Sequence, residues 1–412
     1  MGVWLLAVAH FMAHGQSLEE RVQRLEMSMR ETPRQALDLT WKPADPRSSN
    51  FNLGPTASKV YFHDQPVTLG ISAEFLTFSE RRGLDGTSKN LNRANVATIE
   101  PALAFQLGNQ FVFNTQFLFE NGGAESSDTV TLRKGQSVLK MAYLDWLISA
   151  DVKMGVRVGH QLVPMGLTNT SSESLTYFGV LKPELEREIV PSNWHENGVT
   201  YWLYTERADF EFGIFNSLNA SGLKGETFLS GGRANGQNAA VENPMAVTRV
   251  RWRENFFTMG GSLAAGRTDQ GTESYRNGTF ALWDLNLHFD QDRVRSYFQY
   301  AAGKLLDADA ISAVNGTVMG EAAKGFAMEV AYQAFTSLRH STWIFARYSK
   351  YDLHDQVPKG LTRDHTYNKS IVTLGLQYLP TPNIVFKVDH QFRRNEAADE
   401  DDEFNVGAGL SF

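Results

Sequence analysis

The chain has 412 residues, of which 42% are hydrophobic, 12% aromatic and 21% charged, and its formal net charge is −7. That charge argues against a protein that lives mainly on nucleic-acid phosphates, so nucleic acid is not an expected partner. Cysteine is absent, which excludes disulfides, thiolate metal sites and a lipid-anchored lipoprotein. No apolar run reaches the roughly 18 residues of a transmembrane helix, yet phenylalanine, tyrosine and glycine are plentiful on short alternating segments.

Val3 to Ala9 is a short apolar core, and Ala13-His14-Gly15 is a small-x-small cleavage site. Residues 1–15 therefore read as a secretory signal peptide, although Met1-Gly2 lacks the usual positive charge. Next, Leu18, Val22, Leu25 and Met29 are spaced four, three and four residues apart among Glu and Arg. This is either a lone amphipathic helix or a short oligomerising coiled coil. Thr32 to Pro66 is rich in Pro, Ser, Asn and Asp and reads as a linker. Residues 16–66 are thus expected to form a periplasmic helical segment and linker.

From Val67 the pattern changes to period two. In Glu403 to Phe412, Phe404, Val406, Ala408, Leu410 and Phe412 share one face, and Asn405, Gly407, Gly409 and Ser411 share the other. Such segments recur at about 67–78, 95–107, 109–120, 138–149, 151–160, 197–205, 207–216, 246–254, 256–266, 279–289, 292–302, 325–336, 341–351, 370–379, 382–392 and 403–412. Each is about ten residues, the length a tilted strand needs to cross a bilayer. Connections alternate between tight turns, such as Gly108, Ala150 or Pro380-Thr381, and long loops, such as 79–94, 161–196 and 217–245. An even strand number with that asymmetry predicts an all-β fold, a sixteen-stranded antiparallel transmembrane β-barrel over 67–412. Closure removes the exposed edges that so many strands would otherwise present. Tyr204, Tyr300, Tyr348, Tyr378 and Phe412 near segment ends suit aromatic girdles.

A last strand of alternating aromatics ending in Phe412 resembles the assembly signal of Gram-negative outer-membrane barrels. The run Arg157-Val-Gly-His160, then Pro164-Met-Gly166, then Pro191-Ser-Asn-Trp194-His-Glu-Asn-Gly198 resembles the third-loop region of the phosphate-selective porin O/P family. The N-terminal heptad is similar to the short coil many members carry before the barrel. The resemblance implies a trimeric porin of the outer membrane, a passive channel, and leaves its solute open.

The polar face of each strand points to the lumen. Parity then directs Lys153, Arg157, Arg249, Arg251, Arg253, Arg293, Arg295, Arg347 and Lys387 inward, with Glu74, Glu100, Asp209, Glu211, Asp284, Glu329 and Asp389. Arg249, Arg251 and Arg253 alternate on one strand about 6.6 Å apart. They form either a ladder for anions or one side of ion pairs with Asp209, Glu211 and Asp284. The third loop, 161–196, is the longest and carries Leu175, Tyr177, Phe178 and Leu181. It is expected to fold inward as a constriction with Lys182, Glu184, Glu186 and Arg187 as its charged candidates, the other possibility being a loop at a trimer interface.

Other constellations carry little chemistry. His195-Glu196 lacks a zincin's second histidine. Asp399 to Glu403 lacks calcium-loop spacing. His288 and His390 have no evident serine partner. The reading is therefore not an enzyme, with no metal and no cofactor. It is an outer-membrane porin, a passive channel with anion preference, phosphate being one candidate; its partners are outer-membrane lipid, small anionic or polar solutes and two further copies in a homotrimer. The alternatives are a non-selective or cation-leaning porin, or a structural or adhesive barrel. The topology is tested on intact cells: protease should reach loops 79–94, 217–245 and 303–324, and an epitope inserted at Ala150 should stay unlabelled.

Overall fold

The computed structural model describes residues 53–61, 66–82, 91–122, 135–149, 153–275, 277–337, 340–398 and 400–412. The expected signal peptide, the heptad segment and Ala150 lie outside the described residues. The strands are β1 (Val67–Arg82), β2 (Leu91–Asn95), β3 (Thr98–Leu107), β4 (Phe111–Glu120), β5 (Gln136–Ser149), β6 (Lys153–Leu162), β7 (His195–Tyr204), β8 (Ala208–Asn216) and β9 (Pro244–Glu254). They continue as β10 (Phe257–Arg267), β11 (Thr279–Gln291), β12 (Val294–Leu306), β13 (Ala322–Thr336), β14 (Ser341–Gln356), β15 (Asn368–Thr381), β16 (Ile384–Asn395) and β17 (Asp402–Ser411).

All belong to one 17-stranded sheet. β2 pairs with the far half of β1 and β3 with its near half, Val67↔Phe105 to Glu74↔Thr98. The two are one wall strand interrupted at Val96-Ala97, so the wall is a sixteen-stranded barrel. β17 closes it on β1, from Ser72↔Ser411 to Arg82↔Asp402, with a bulge between Glu74 and Leu76. Tight turns lie at one end and long loops at the other, as the sequence pattern predicts. Several tight turns need a left-handed residue, supplied by Gly108, Asn255 and Asp292.

The alternation is physical. On β8, Phe210, Phe212 and Ile214 are exposed while Asp209 and Glu211 are buried; on β9, Val250 and Trp252 are exposed while Arg249 is buried. A ring of exposed apolar side chains around a closed sheet suits a hydrocarbon exterior. Among the aromatics assigned to the girdles, Tyr204 departs from expectation. It is buried on the lumen side, stacked on Trp202, and its hydroxyl donates to Glu211 at 2.5 Å. A lumen-side carboxylate gives its hydroxyl a partner that lipid cannot.

Composition assigns residues 53–61 to a linker, but they run inside the barrel. A short helix (Pro55–Ser58) and a 3₁₀ turn (Lys59–Tyr61) pack there, with Thr56, Ala57, Val60 and Tyr61 all buried. We call this segment the strap. Wall side chains satisfy its backbone: Asn114 donates to the Ala57 carbonyl at 2.7 Å and Gln106 to the Val60 carbonyl at 2.7 Å. Tyr61 donates to Asp145 at 2.7 Å, a carboxylate that also accepts from Trp202 at 2.6 Å and from Arg157 at 3.1 Å.

At the long-loop end, apolar side chains from several loops make a core within the mouth. Val163, Trp194, Leu218, Phe228, Ile311 and Met319 pack there against inward-facing Phe280, Leu282 and Leu305. Glu196 fixes the 217–243 loop to the wall: it accepts the backbone N–H groups of Ala234, Asn235 and Gly236 at 3.0, 3.2 and 3.1 Å and the Asn216 amide at 2.6 Å.

The strap is joined to the third loop by Glu173. This buried carboxylate accepts the Thr56 N–H at 2.8 Å, the Thr56 hydroxyl at 2.7 Å and the Ser411 hydroxyl at 2.5 Å. Burial nevertheless raises its pKa above the usual carboxylate range, because three donors only partly replace water. Glu173→Ala strands those donors, and about 1–3 kcal/mol of stability should be lost. The gel heat-modification temperature should fall, and Glu173→Gln should recover part of it.

A chamber bordered by arginines

The third loop spans 163–194 between β6 and β7 and lies inside the barrel. Asn169 staples its two stems by donating to the Val163 and Trp194 carbonyls at 2.8 and 3.0 Å and accepting the Trp194 N–H at 2.6 Å. Gly166 takes a positive φ of 73°, where a Cβ would strike Glu186 and Val190. Its N–H reaches Asp284 on β11 at 3.2 Å. From there the loop crosses the lumen. Thr170 accepts from Arg249 at 3.0 Å, Ser172 accepts from Lys140 at 2.6 Å, and Leu175 with Phe178 packs on Trp343, Phe345, Leu379 and Val385.

The charged residues expected at the constriction do other work. Glu184 and Glu186 are fully buried. Glu186 accepts the N–H groups of Leu167 and Thr168 at 2.9 Å each and the Gln299 amide. Glu184 accepts from Arg393 at 2.9 Å and from Arg187 at 3.3 Å. Burial alone would raise the pKa of Glu184, but the Arg187, Arg393 and Arg347 charges outweigh it and hold the group below its ordinary value. Lys182 donates to Asn193 at 2.9 Å. These four side chains brace the loop, and it is the stretch from Leu167 to Phe178 that borders open space.

The basic residues expected in the lumen divide into three groups. Arg157, Arg347 and Lys387 point inward but are covered. Arg157 lies under the strap, 4.5 Å from the Tyr143 ring and paired with Asp145. Arg347 pairs with Glu329 at 3.1 Å beneath Gly179 of the loop. Lys387 donates to the Tyr177 and Gly179 carbonyls, both at 2.9 Å. The second group lies at the turn end of the wall: Arg293 is exposed in the turn between β11 and β12, where its carbonyl accepts the Gln333 N–H at 2.8 Å. Lys153 is half-buried at the turn end of β6.

Arg249, Arg251, Arg253 and Arg295 form the third group, and they border one cavity of about 410 Å³. Its other sides include Asn286, His288, Tyr297 and the carboxylates Asp290 and Glu329 of the wall, and Leu167, Thr168, Ser171, Leu175, Thr176, Tyr177 and Phe178 of the loop. The arginines are partly compensated. Asp209 accepts Arg251 at 2.6 Å and Arg253 at 2.6 Å, one carboxylate against two guanidinium groups. Glu211 stands opposite Arg249 in the ladder. Three positive charges thus face two negative ones along β8 and β9. Arg295 pairs with Asp290 at 3.1 Å and lies 5.0 Å from the Trp343 ring. The wall pairing weighed in the sequence is present at Asp209, and the three arginines also border the cavity. Parity alone makes His288 visible, whereas the apolar loop flank and the Arg295–Trp343 contact require the fold.

Among the described residues no group of three or more His, Asp or Glu could hold a metal ion. Asp209→Asn keeps the shape and removes the charge that Arg251 and Arg253 share. It should cost about 1.5–3 kcal/mol, read as a lower heat-modification temperature, because hydrogen bonds to charged groups are lost from a largely buried position.

No protein-family model matches the chain. A protein of Aquifex aeolicus (strain VF5), described as uncharacterized, is 27% identical over 362 residues, 82% of this chain and 78% of its own. An anion-selective porin from Comamonas acidovorans is similar in structure, with TM-score 0.53 and 13% identity, covering 84% of this chain and 99% of its own. OprB of Pseudomonas putida is similar with TM-score 0.56 and 10% identity, covering 84% and 94%. At such identities the likeness is one of fold, a barrel of the outer-membrane type. The phosphate-selective porin O/P resemblance rests on the third-loop residues and the N-terminal heptad.

Proposed function

We propose that the protein is an outer-membrane porin, a passive channel for small hydrophilic solutes with a modest preference for anions. The observation that carries this reading is the arginine-bordered chamber inside a closed barrel whose exterior is apolar and whose third loop narrows the lumen. A sixteen-stranded wall is wide enough to leave an aqueous path when loops fill only part of it. The fold shared with the Comamonas porin supports the channel class. The surplus positive charge along β8 and β9 supports the sign of the preference, and the compensation by Asp209 argues that it is modest. Phosphate is one candidate anion. Assembly as a homotrimer belongs to the same proposal, through the third-loop resemblance.

Asp209 also favours a second reading, a non-selective porin in which the arginines serve mainly to hold the wall. Replacing Arg249, Arg251 and Arg253 together by Ala separates the two. An anion about 5 Å from one guanidinium gains roughly 0.8 kcal/mol at a water-like dielectric. With screening over about 10 Å at 0.1 M salt, three such groups could change the anion/cation ratio by roughly tenfold. The reversal potential in a salt gradient should therefore move toward cations, and the change should shrink as salt rises. An unchanged potential at low salt, with a lower heat-modification temperature, would leave the wall-holding role alone.

A further inference from the structure

The chamber differs from a simple ring of positive charge, because its two flanks are chemically unlike. Arg251, Arg253 and Arg295 stand on the barrel wall. The facing flank comes from the third loop, which offers the apolar side chains of Leu167, Leu175 and Phe178 beside the hydroxyls of Thr168, Ser171 and Thr176. Phe178 is held in place by rings at its back, 5.5 Å from Trp343 and 5.9 Å from Phe345. The apolar flank is therefore a fixed surface. Leu167 is held through its backbone, which donates to the buried Glu186.

A small inorganic anion gains nothing from the Leu and Phe surface of such a flank. An anion carried on an apolar body uses both flanks: its charge meets the guanidinium groups and its body covers Leu and Phe surface. The size agrees. A volume of about 410 Å³ falls in the usual range for small organic ligands and far exceeds one phosphate-sized ion.

The geometry points to a site for small organic anions with an aromatic or apolar body, typified by aromatic monocarboxylates, in preference to inorganic phosphate. This inference rests on the channel reading, since it names the solute class that the same chamber retains. The Arg251–Asp209–Arg253 cluster supplies the anionic subsite, and the loop side chains of Leu167 and Phe178 discriminate among solutes.

The test uses the full-length barrel in planar bilayers of potassium chloride, with potassium benzoate, acetate or phosphate added at matched ionic strength. Benzoate should reduce single-channel current at concentrations at least tenfold below those of acetate and phosphate. Leu167→Ser and Phe178→Ser, made separately, should each shrink that ratio at least threefold and keep an open channel. Leu167 lies outside the apolar cluster that holds the loop, so its variant stays informative even where Phe178→Ser fails to fold. Equal block by the three anions, or no block by any, overturns the inference and leaves the porin reading standing. If the barrel carries no current, calorimetric titration of benzoate into the detergent-solubilised protein decides. Binding that weakens in Leu167→Ser upholds the site and ends the channel reading, and absence of binding ends both.

Discussion

Hydrocarbon offers no hydrogen bonds, so a sheet that crosses it must satisfy every backbone group within the wall. Closure of β17 on β1 meets that demand, and most of the remaining architecture is its consequence. Once the wall is closed, each strand has one face to lipid and one to the interior, and the identity of every residue is tied to its parity. The Arg249-Val-Arg251-Trp-Arg253 run is the clearest case. Its arginines would be very costly on the outer face, and Trp252 suits an outer face better than a wet lumen.

Closure also creates a problem of volume. A sixteen-stranded wall encloses more space than its own inward side chains fill. The protein meets this with segments from both ends of the barrel: the third loop crosses the lumen, the strap packs along the inner wall at β3, β4 and β5, and the remaining loops pack an apolar core in the mouth. Buried backbone in these segments needs partners, which explains why so many lumen side chains are occupied. Lys387 serves two loop carbonyls, Asn114 serves one strap carbonyl, and Glu196 serves three loop N–H groups. The polar interior is in large part a scaffold for segments that the wall alone could not hold. The chamber is the space this scaffold leaves open.

This division explains what is legible in the sequence. Period-two alternation is a local signal, so the strands, their sequence order and the inward direction of Arg157, Arg347 and Lys387 can be read from short windows. Whether an inward side chain meets water or another part of the chain is decided by contacts across more than a hundred positions. Glu173 and Thr56 are 117 residues apart, and Lys387 and Tyr177 are 210 apart. No periodicity marks such pairs, so the covering of those three cations, the interior course of 53–61 and the bracing role of Glu184 and Glu186 stay hidden. Arg293 is a matter of boundary: one residue of uncertainty at a turn decides between wall and solvent. Tyr204 misleads because an aromatic near a strand end suits a girdle equally well, and only its partner Glu211 reveals its side.

The clasp among Thr56, Glu173 and Ser411 bears on how the ring is completed. Neighbouring strands elsewhere follow one another in the chain, joined by a single turn or loop, whereas β1 and β17 lie at opposite ends of the barrel sequence. Bringing together ends several hundred residues apart costs about 5 kcal/mol of chain entropy if nothing else has yet ordered them. The third loop, the strap and the last strand meet at one carboxylate beside this seam, and Lys59 lies 4.2 Å from the ring of Phe412. The lumen contents therefore add cross-links to the least local pairing in the wall: the carboxylate that ties loop to strap also holds the last strand beside its seam with β1.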